Sequence, residues 1–325
     1  MGGFHQFDAE LGWSQRPNHE ALFKSRNFKV KVKSNSYGFR DTEFQLSKGE
    51  GINRVVVLGD SYTWGWGVEH DEIFCEVAEK EMGKTEFFNL GVNAYGTDQE
   101  YLLFKKLGMK FSPELTVLAF YHNDIFDNYR NDSHKPNFRL IDGKLFLTVK
   151  PKPFSIGKKL KMFLKKNFLL YYFLDYKFAL LKQFRDNPDN NYGFADHFYK
   201  NYSERTQNEW ELTKSLLNKI NDLSKNPLLI MYIPTRLQVD DKTFQKALIS
   251  SKVDENKMDM YSPNKILRKF SESNEIYFLD LTPYFKKDNN KVPLYFEYDD
   301  HLTVAGHKLA GIILKEKVQE LLKDF

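Results

Sequence analysis

The sequence predicts an α/β fold built on a five-stranded, mainly parallel sheet. Three observations carry this expectation. Short, continuous apolar runs recur along the chain, each stopping on a small or polar residue. Amphipathic stretches of helical period lie between them. The two kinds alternate, as strands do when crossover helices rather than hairpins join them.

Residues 1–50 are polar and aromatic with weak periodicity, ending in "SNSYGFRDTEF" (34–44). They read as an irregular or β-rich arm packed on a main domain of residues 51–325, with Gly38 at a turn. "RVVVLGD" (54–60) is a short apolar run bounded by turn residues, the signature of a buried parallel strand. "DEIFCEVAEKEMG" (71–83) has apolar residues at 73, 74, 77, 78 and 82, which predicts an amphipathic helix ending on Gly83. A second strand follows at "TEFFNLGV" (85–92). The next helix is expected over 97–111, with Thr97 as N-cap and Glu100 completing a capping box.

"ELTVLAFYHND" (114–124), "PLLIMYIP" (227–234) and "EIYFLDL" (275–281) supply strands three to five. The closing stretch 305–325 is a terminal helix for which Thr303 is a reasonable N-cap. An insertion at about 128–205 interrupts the alternation. Its first part, "NFRLIDGKLFLTV" (137–149), predicts a hairpin turning on Asp142 and Gly143. The stretch 156–184 then carries seven lysines against the single acid Asp175. It reads as a solvated lid or flank helix, as a membrane-surface contact, or as a groove for an anionic polymer.

With 325 residues, 41% of them hydrophobic, the chain can fill a sizeable core. Its 48 basic and 44 acidic residues nearly balance, so overall charge gives no reason to expect a nucleic-acid partner. The lone cysteine, Cys75, excludes an internal disulfide and a cysteine-cage zinc site. No apolar run approaches the roughly 20 residues that span a bilayer; "FLLYYFL" (168–174) is the longest. The opening "MGGFHQFDAELGW" has neither a charged nor an apolar signal region, so no signal peptide is expected. Compartment stays open between cytoplasm and cell envelope, and oligomeric state is not encoded in any pattern.

Parallel sheets gather ligands beyond the carboxyl ends of their strands. Ser61, Asn93, Asn123 and Thr235 all fall just past such ends. A serine hydroxyl becomes a nucleophile only when a base takes its proton, an acid orients the base, and donors await the oxyanion. Of eight histidines, His301 stands out in "EYDDHLTVAGH" (297–307), directly after Asp299 and Asp300. Asn123 in "YHND" offers a side-chain amide, and "NLGVNAYGT" (89–97) a glycine-bearing strand-to-helix turn. Taken singly, each also reads as an ordinary cap or turn. Together they supply nucleophile, base, acid and donors in order. "GDSYT" is not the G-x-S-x-G elbow, and neither a phosphate loop nor an HExxH zinc motif occurs.

At these residues the chain resembles the SGNH, or GDSL-type, hydrolase superfamily. "GDSYT" is similar to its first block, "NLGVNAYGT" to its second, "YHND" to its third and "DDHLTVAGH" to its last. The resemblance covers about 54–125 and 227–320. It implies a flavodoxin-like, three-layer α/β/α domain with a hairpin and helical lid. It also implies Ser61 as nucleophile, His301 as base and Asp299 as acid, with Asp300 in reserve. The oxyanion hole would comprise the Ser61 and Ala94 N–H groups and the Asn123 amide, while Trp64, Gly91, Gly96 and Tyr121 would line the substrate site, with Trp66 beside the nucleophile. Ala94 and Tyr121 stand where the superfamily has glycine. The arm and the insertion look like bacterial envelope members that modify polysaccharides, some acting on O-acetyl groups. The resemblance thus implies a serine esterase for a small-molecule or glycan ester, without metal or organic cofactor. The alternatives are an O-acyltransferase to a glycan hydroxyl and a catalytically inactive carbohydrate- or envelope-binding module.

Overall fold

The computed structural model describes residues 3–80, 82–167, 194–251, 253–289 and 291–324. The arm contributes two antiparallel hairpins, β1 (His5–Asp8) with β2 (Gly12–Gln15) and β3 (Glu20–Lys24) with β4 (Lys29–Lys33). The central sheet comprises β5 (Asn53–Gly59), β6 (Thr85–Asn89), β7 (Leu115–Phe120), β10 (Leu228–Tyr232) and β11 (Tyr277–Asp280). Its order is β11-β10-β7-β5-β6, and every pairing is parallel. The five strands are those expected from the apolar runs. Between β7 and β10 lies the hairpin β8 (Asn137–Ile141) and β9 (Lys144–Val149). It turns on Asp142 and Gly143, both at positive φ, as the twist of a two-residue hairpin loop requires.

Side chains alternate across a strand, so a buried sheet needs cover on both faces. Val55 and Val57 of β5 pack on one side with Phe74 and Ala78 of α2 (Phe74–Glu79) and Ala310 and Leu314 of α11 (Val304–Leu321). Val56 and Leu58 pack on the other with Phe104 of α3 (Thr97–Lys106), Trp210 and Leu217 of α6 (Glu204–Leu223) and Leu267 of α9 (Ser262–Ser273). The result is a three-layer α/β/α sandwich. The remaining helices are α1 (Ser61–Trp64), α4 (Asn123–Tyr129), α5 (Ile156–Asn167), α7 (Arg236–Val239), α8 (Asp241–Ser251) and α10 (Thr282–Asp288). No helix among the described residues is long and apolar enough to cross a membrane.

Three local expectations need correction. The helix expected over 71–83 is shorter: a 3-10 turn at His70–Glu72 precedes α2. The helix expected over 97–111 stops at Lys106 and tightens into a 3-10 turn at Gly108–Phe111. Thr97 is not its N-cap; Gly96 is, and Thr97 lies inside the first turn with no capping bond. A tertiary partner does that work instead, because the Asn128 amide oxygen accepts the Asp98 N–H at 3.0 Å. Thr303, by contrast, caps α11, accepting from the Gly306 N–H. In the lysine-rich insertion, residues 168–193, including the run 168–174 and Asp175, lie outside the described residues.

The arm is bonded to the core through polar side chains in the turns that follow β5 and β6. Trp13 Nε1 donates to Asn93 O at 3.1 Å and Gln15 Nε2 to Gly91 O at 3.0 Å. Arg40 is buried, and its guanidinium donates to the backbone oxygens of Trp64, Gly65 and Val68. Burial lowers its pKa to about 10, against the pull of Glu69, Glu72 and Glu76, so it stays charged at neutral pH. Replacing Arg40 with Met strands these buried carbonyls. Each unmet group costs on the order of 1–3 kcal/mol, so a loss of about 3 kcal/mol or more is expected in equilibrium urea unfolding.

Candidate active site

The segment Gly59 to Gly67 turns from β5 directly into a single helical turn. Asp60 is the N-cap of α1, its Oδ1 accepting the Tyr62 N–H at 2.9 Å, which leaves Ser61 as the first helical residue. Its own N–H therefore has no acceptor within the helix. Gly65 ends the turn in the left-handed conformation at φ 79°, one that glycine adopts without steric cost. Gly91 lets the turn after β6 approach closely, since a Cβ there would lie 2.5 Å from Trp64 N and 2.6 Å from Thr63 C.

His301 reaches this turn from the far end of the chain. The strand-like bridge Tyr295–Leu302 and the bond from Phe296 N to His301 O at 3.0 Å close a tight loop with Asp299, Asp300 and His301 at its tip. Arg236 donates to Phe296 O and Glu297 O, both at 3.1 Å, while Tyr62 OH donates to Asp300 O at 2.8 Å. Held this way, His301 Nε2 lies 2.7 Å from Ser61 Oγ, and its Nδ1 is hydrogen-bonded to Asp299 Oδ1. Asp299 Oδ1 also accepts the His301 backbone N–H at 3.0 Å. Its Oδ2 accepts the Trp66 indole N–H at 3.1 Å. Partial burial works to raise the Asp299 pKa, but the bonds from His301 and Trp66 outweigh it and bring it down to about 2. The carboxylate is therefore charged across the working pH range. A hydroxyl, an imidazole and an ionised carboxylate in line can take the hydroxyl proton and hold the resulting imidazolium.

Of the two aspartates before His301, Asp299 contacts the ring; Asp300 is exposed and contributes its carbonyl. Asn123 begins α4, its amide donating to Asp60 Oδ2 at 3.3 Å and Asp127 Oδ2 at 3.2 Å. One of these two long bonds ties it to the residue beside Ser61, the other to its own helix. Burial pushes Asp60 up to about 6, although the Tyr62 N–H, His301 and Asn123 oppose that rise. Ala94 is exposed at φ 61°, a left-handed position that favours glycine.

Four residues expected to line a substrate site belong to the packing instead. Trp64 is fully buried, donating its indole N–H to Gln15 Oε1 at 2.9 Å. Gly91 is sealed against α1, and Gly96 is buried where a Cβ would meet Asn128 Oδ1 at 2.9 Å. Tyr121 is buried with its ring 4.3 Å from Tyr62. Sequence reasoning missed Tyr62, Arg236 and the bond from Trp66 to Asp299; only their nearness to the quoted motifs pointed to them. It also missed Asp41, His70 and Glu76, whose metal-ligating atoms lie within 4.8 Å of one another. His70 Nε2 stands 3.6 Å from Glu76 Oε1 and 3.9 Å from Asp41 Oδ1, an ion-pair spacing when the ring is protonated.

No protein-family model matches the chain, and no curated protein matches it. Among solved structures it is similar to an acetyl xylan esterase, with 12% identity over 82% of this chain and 99% of that one, at a TM-score of 0.44. A member of the lipolytic G-D-S-L family from Veillonella parvula is 13% identical over 81% and 96%, at 0.42. A lipase/acylhydrolase from Enterococcus faecalis is 11% identical over 83% and 96%, at 0.43.

Near Asp60, α3 carries Glu100, fully buried with neither carboxyl oxygen hydrogen-bonded among the described residues. Burial, then the charges of Asp60 and Asp98, raise its pKa well above the usual range. The folded chain keeps this proton where the unfolded chain releases it, so stability falls as pH rises above the unfolded value of about 4.3, by at most about 1.4 kcal/mol per pH unit. Glu100→Gln removes that slope. Thermal melts should show the variant level with the parent near pH 4 and increasingly more stable towards pH 8.

Proposed function

We propose that the chain is a serine esterase of the SGNH, or GDSL-type, superfamily that cleaves short acyl esters, with a carbohydrate as the alcohol. One observation carries the reading: Ser61 Oγ and His301 Nε2 stand 2.7 Å apart while Asp299 holds the opposite ring nitrogen. In this mechanism His301 removes the Ser61 proton as Oγ attacks the ester carbonyl. The C–O bond to the alcohol then breaks, and the imidazolium gives its proton to the departing oxygen. Water, deprotonated by the same imidazole, releases the acyl group and restores the serine.

The oxyanion forms beside Ser61, whose N–H lacks a helical acceptor. Ala94, or a neighbour in its turn, and the Asn123 amide are the further donors of the proposal. For Asn123 to serve, one of its long bonds to Asp60 and Asp127 gives way to the substrate oxygen. The carbohydrate alcohol rests on the resemblance of the arm and the insertion to envelope members that modify polysaccharides. A disabled binding module has less support, because hydroxyl, imidazole and carboxylate keep their contacts. Hydrolysis and transfer share every step up to the acyl-enzyme. They part on whether water or a sugar hydroxyl accepts the acyl group, which product analysis with glycan acceptors decides.

Hydrolysis of p-nitrophenyl acetate tests the reading. Ser61→Ala should lower turnover by about 10³-fold or more. Turnover that persists in that variant removes the serine mechanism. Asn123→Ala should lower kcat by about 10²–10³-fold with KM little changed; a loss confined to stability would instead make Asn123 a structural tie.

A further inference from the structure

We infer that Trp66 is a positioning residue for the Asp299–His301 pair, acting through its indole N–H; the inference rests on the esterase reading above. Asp299 Oδ1 is committed to His301, accepting from both its ring and its backbone N–H. Oδ2 is held by Trp66 Nε1 at 3.1 Å. A carboxylate fixed at one oxygen can still rotate about its Cβ–Cγ bond and carry the other oxygen off line. Fixed at both, it keeps the imidazole in the tautomer that presents Nε2 to Ser61.

The donor is itself held in place. Phe23 and Phe28 meet the Trp66 ring edge-on, each at 5.8 Å, and Trp64 lies 5.9 Å away on its other flank. Trp66 also lies 5.6 Å from the His301 ring, tilted by 36°. Phe23 belongs to β3 and Phe28 to the loop before β4, so the arm braces the indole that bonds the Asp299 carboxylate. The neighbouring Trp64 cannot substitute, because its N–H is bound to Gln15.

The bond has an electrostatic sign. An N–H donor draws negative charge from the carboxylate and weakens its hold on an imidazolium. Without the donor, His301 keeps its proton to higher pH while Asp299 is less well fixed. Among the described residues, Asp60 and His307 also act electrostatically on His301, Tyr62 lies against its ring and Ser61 meets its Nε2, and the substitution leaves all four in place.

Two variants test this: Trp66→Phe, and a protein carrying benzothienylalanine at position 66, which keeps the bicyclic shape but has sulfur in place of N–H. Turnover of p-nitrophenyl acetate and an NMR titration of the His301 ring are the readouts. The expected result is a kcat loss of about tenfold with KM unchanged, and a His301 midpoint moved upwards, in both variants. A benzothienyl variant whose kcat stays within about twofold of the parent overturns the inference. So does a loss of rate with an unmoved His301 titration, which a purely structural role would produce. Ser61→Ala keeps the two readings apart. Turnover surviving Ser61→Ala overturns the esterase reading and this inference with it, whereas turnover abolished there but untouched at position 66 overturns the role of Trp66 alone.

Discussion

Five strands running in one direction place all their carboxyl ends along a single edge, and the site is assembled from what the chain does on leaving that edge. β5 ends into Asp60 and Ser61, and β7 ends just before Asn123. The imidazole and the carboxylate beside it arrive from elsewhere, both carried by the loop closed between Tyr295 and Leu302. A parallel sheet must be covered on both faces, so the helices that follow each strand are obligatory. Their first turns, with unpaired N–H groups, fall at the same edge. The architecture therefore concentrates polar backbone groups where the functional side chains stand.

That arrangement would be loose without the ties across the edge. A loop tip loses considerable backbone entropy when fixed, on the order of 1–2 kcal/mol per residue. The tip around Asp299 is held by Arg236, Tyr62 and Trp66, each bonding a different group of the loop. On the opposite side, Arg40 and Gln15 from the arm secure the end of α1 and the turn after β6. The arm is thus a structural partner of the turn that carries Ser61, joined to it through buried hydrogen bonds.

Much of this was legible in the sequence, for physical reasons. The strands were readable because each is a short apolar run buried on both faces. Ser61 and His301 could be singled out because a serine at a strand end and a histidine behind two acids are few in this chain, whereas Asp299 rather than Asp300 was implied by the family resemblance and not by spacing. What escaped depended on contacts distant in sequence. "WGWG" (64–67) offers two similar tryptophans, and the one that enters the core, Trp64, packs on Phe4, Val30 and Val32 and bonds Gln15, 49 positions away. Thr97 and Glu100 match a capping box, yet Asn128 bonds the helix start and Glu100 is buried with no hydrogen-bond partner among the described residues. The helix expected through 111 ends at Lys106, and the 3-10 turn that follows opens on Gly108, which lies too close to Phe104 to leave room for a Cβ. No periodicity in the chain reports such collisions.

The Ser61–His301 contact joins groups separated by 240 positions. It has a consequence for biosynthesis. While the protein is being translated, the arm, the turn carrying Ser61 and the first three strands of the sheet leave the ribosome well before His301 is polymerised. Any nascent chain short of that point holds Ser61 without its imidazole partner. Pairings of such sequence separation close late and slowly, so the Ser61–His301 contact cannot form before His301 has left the ribosome.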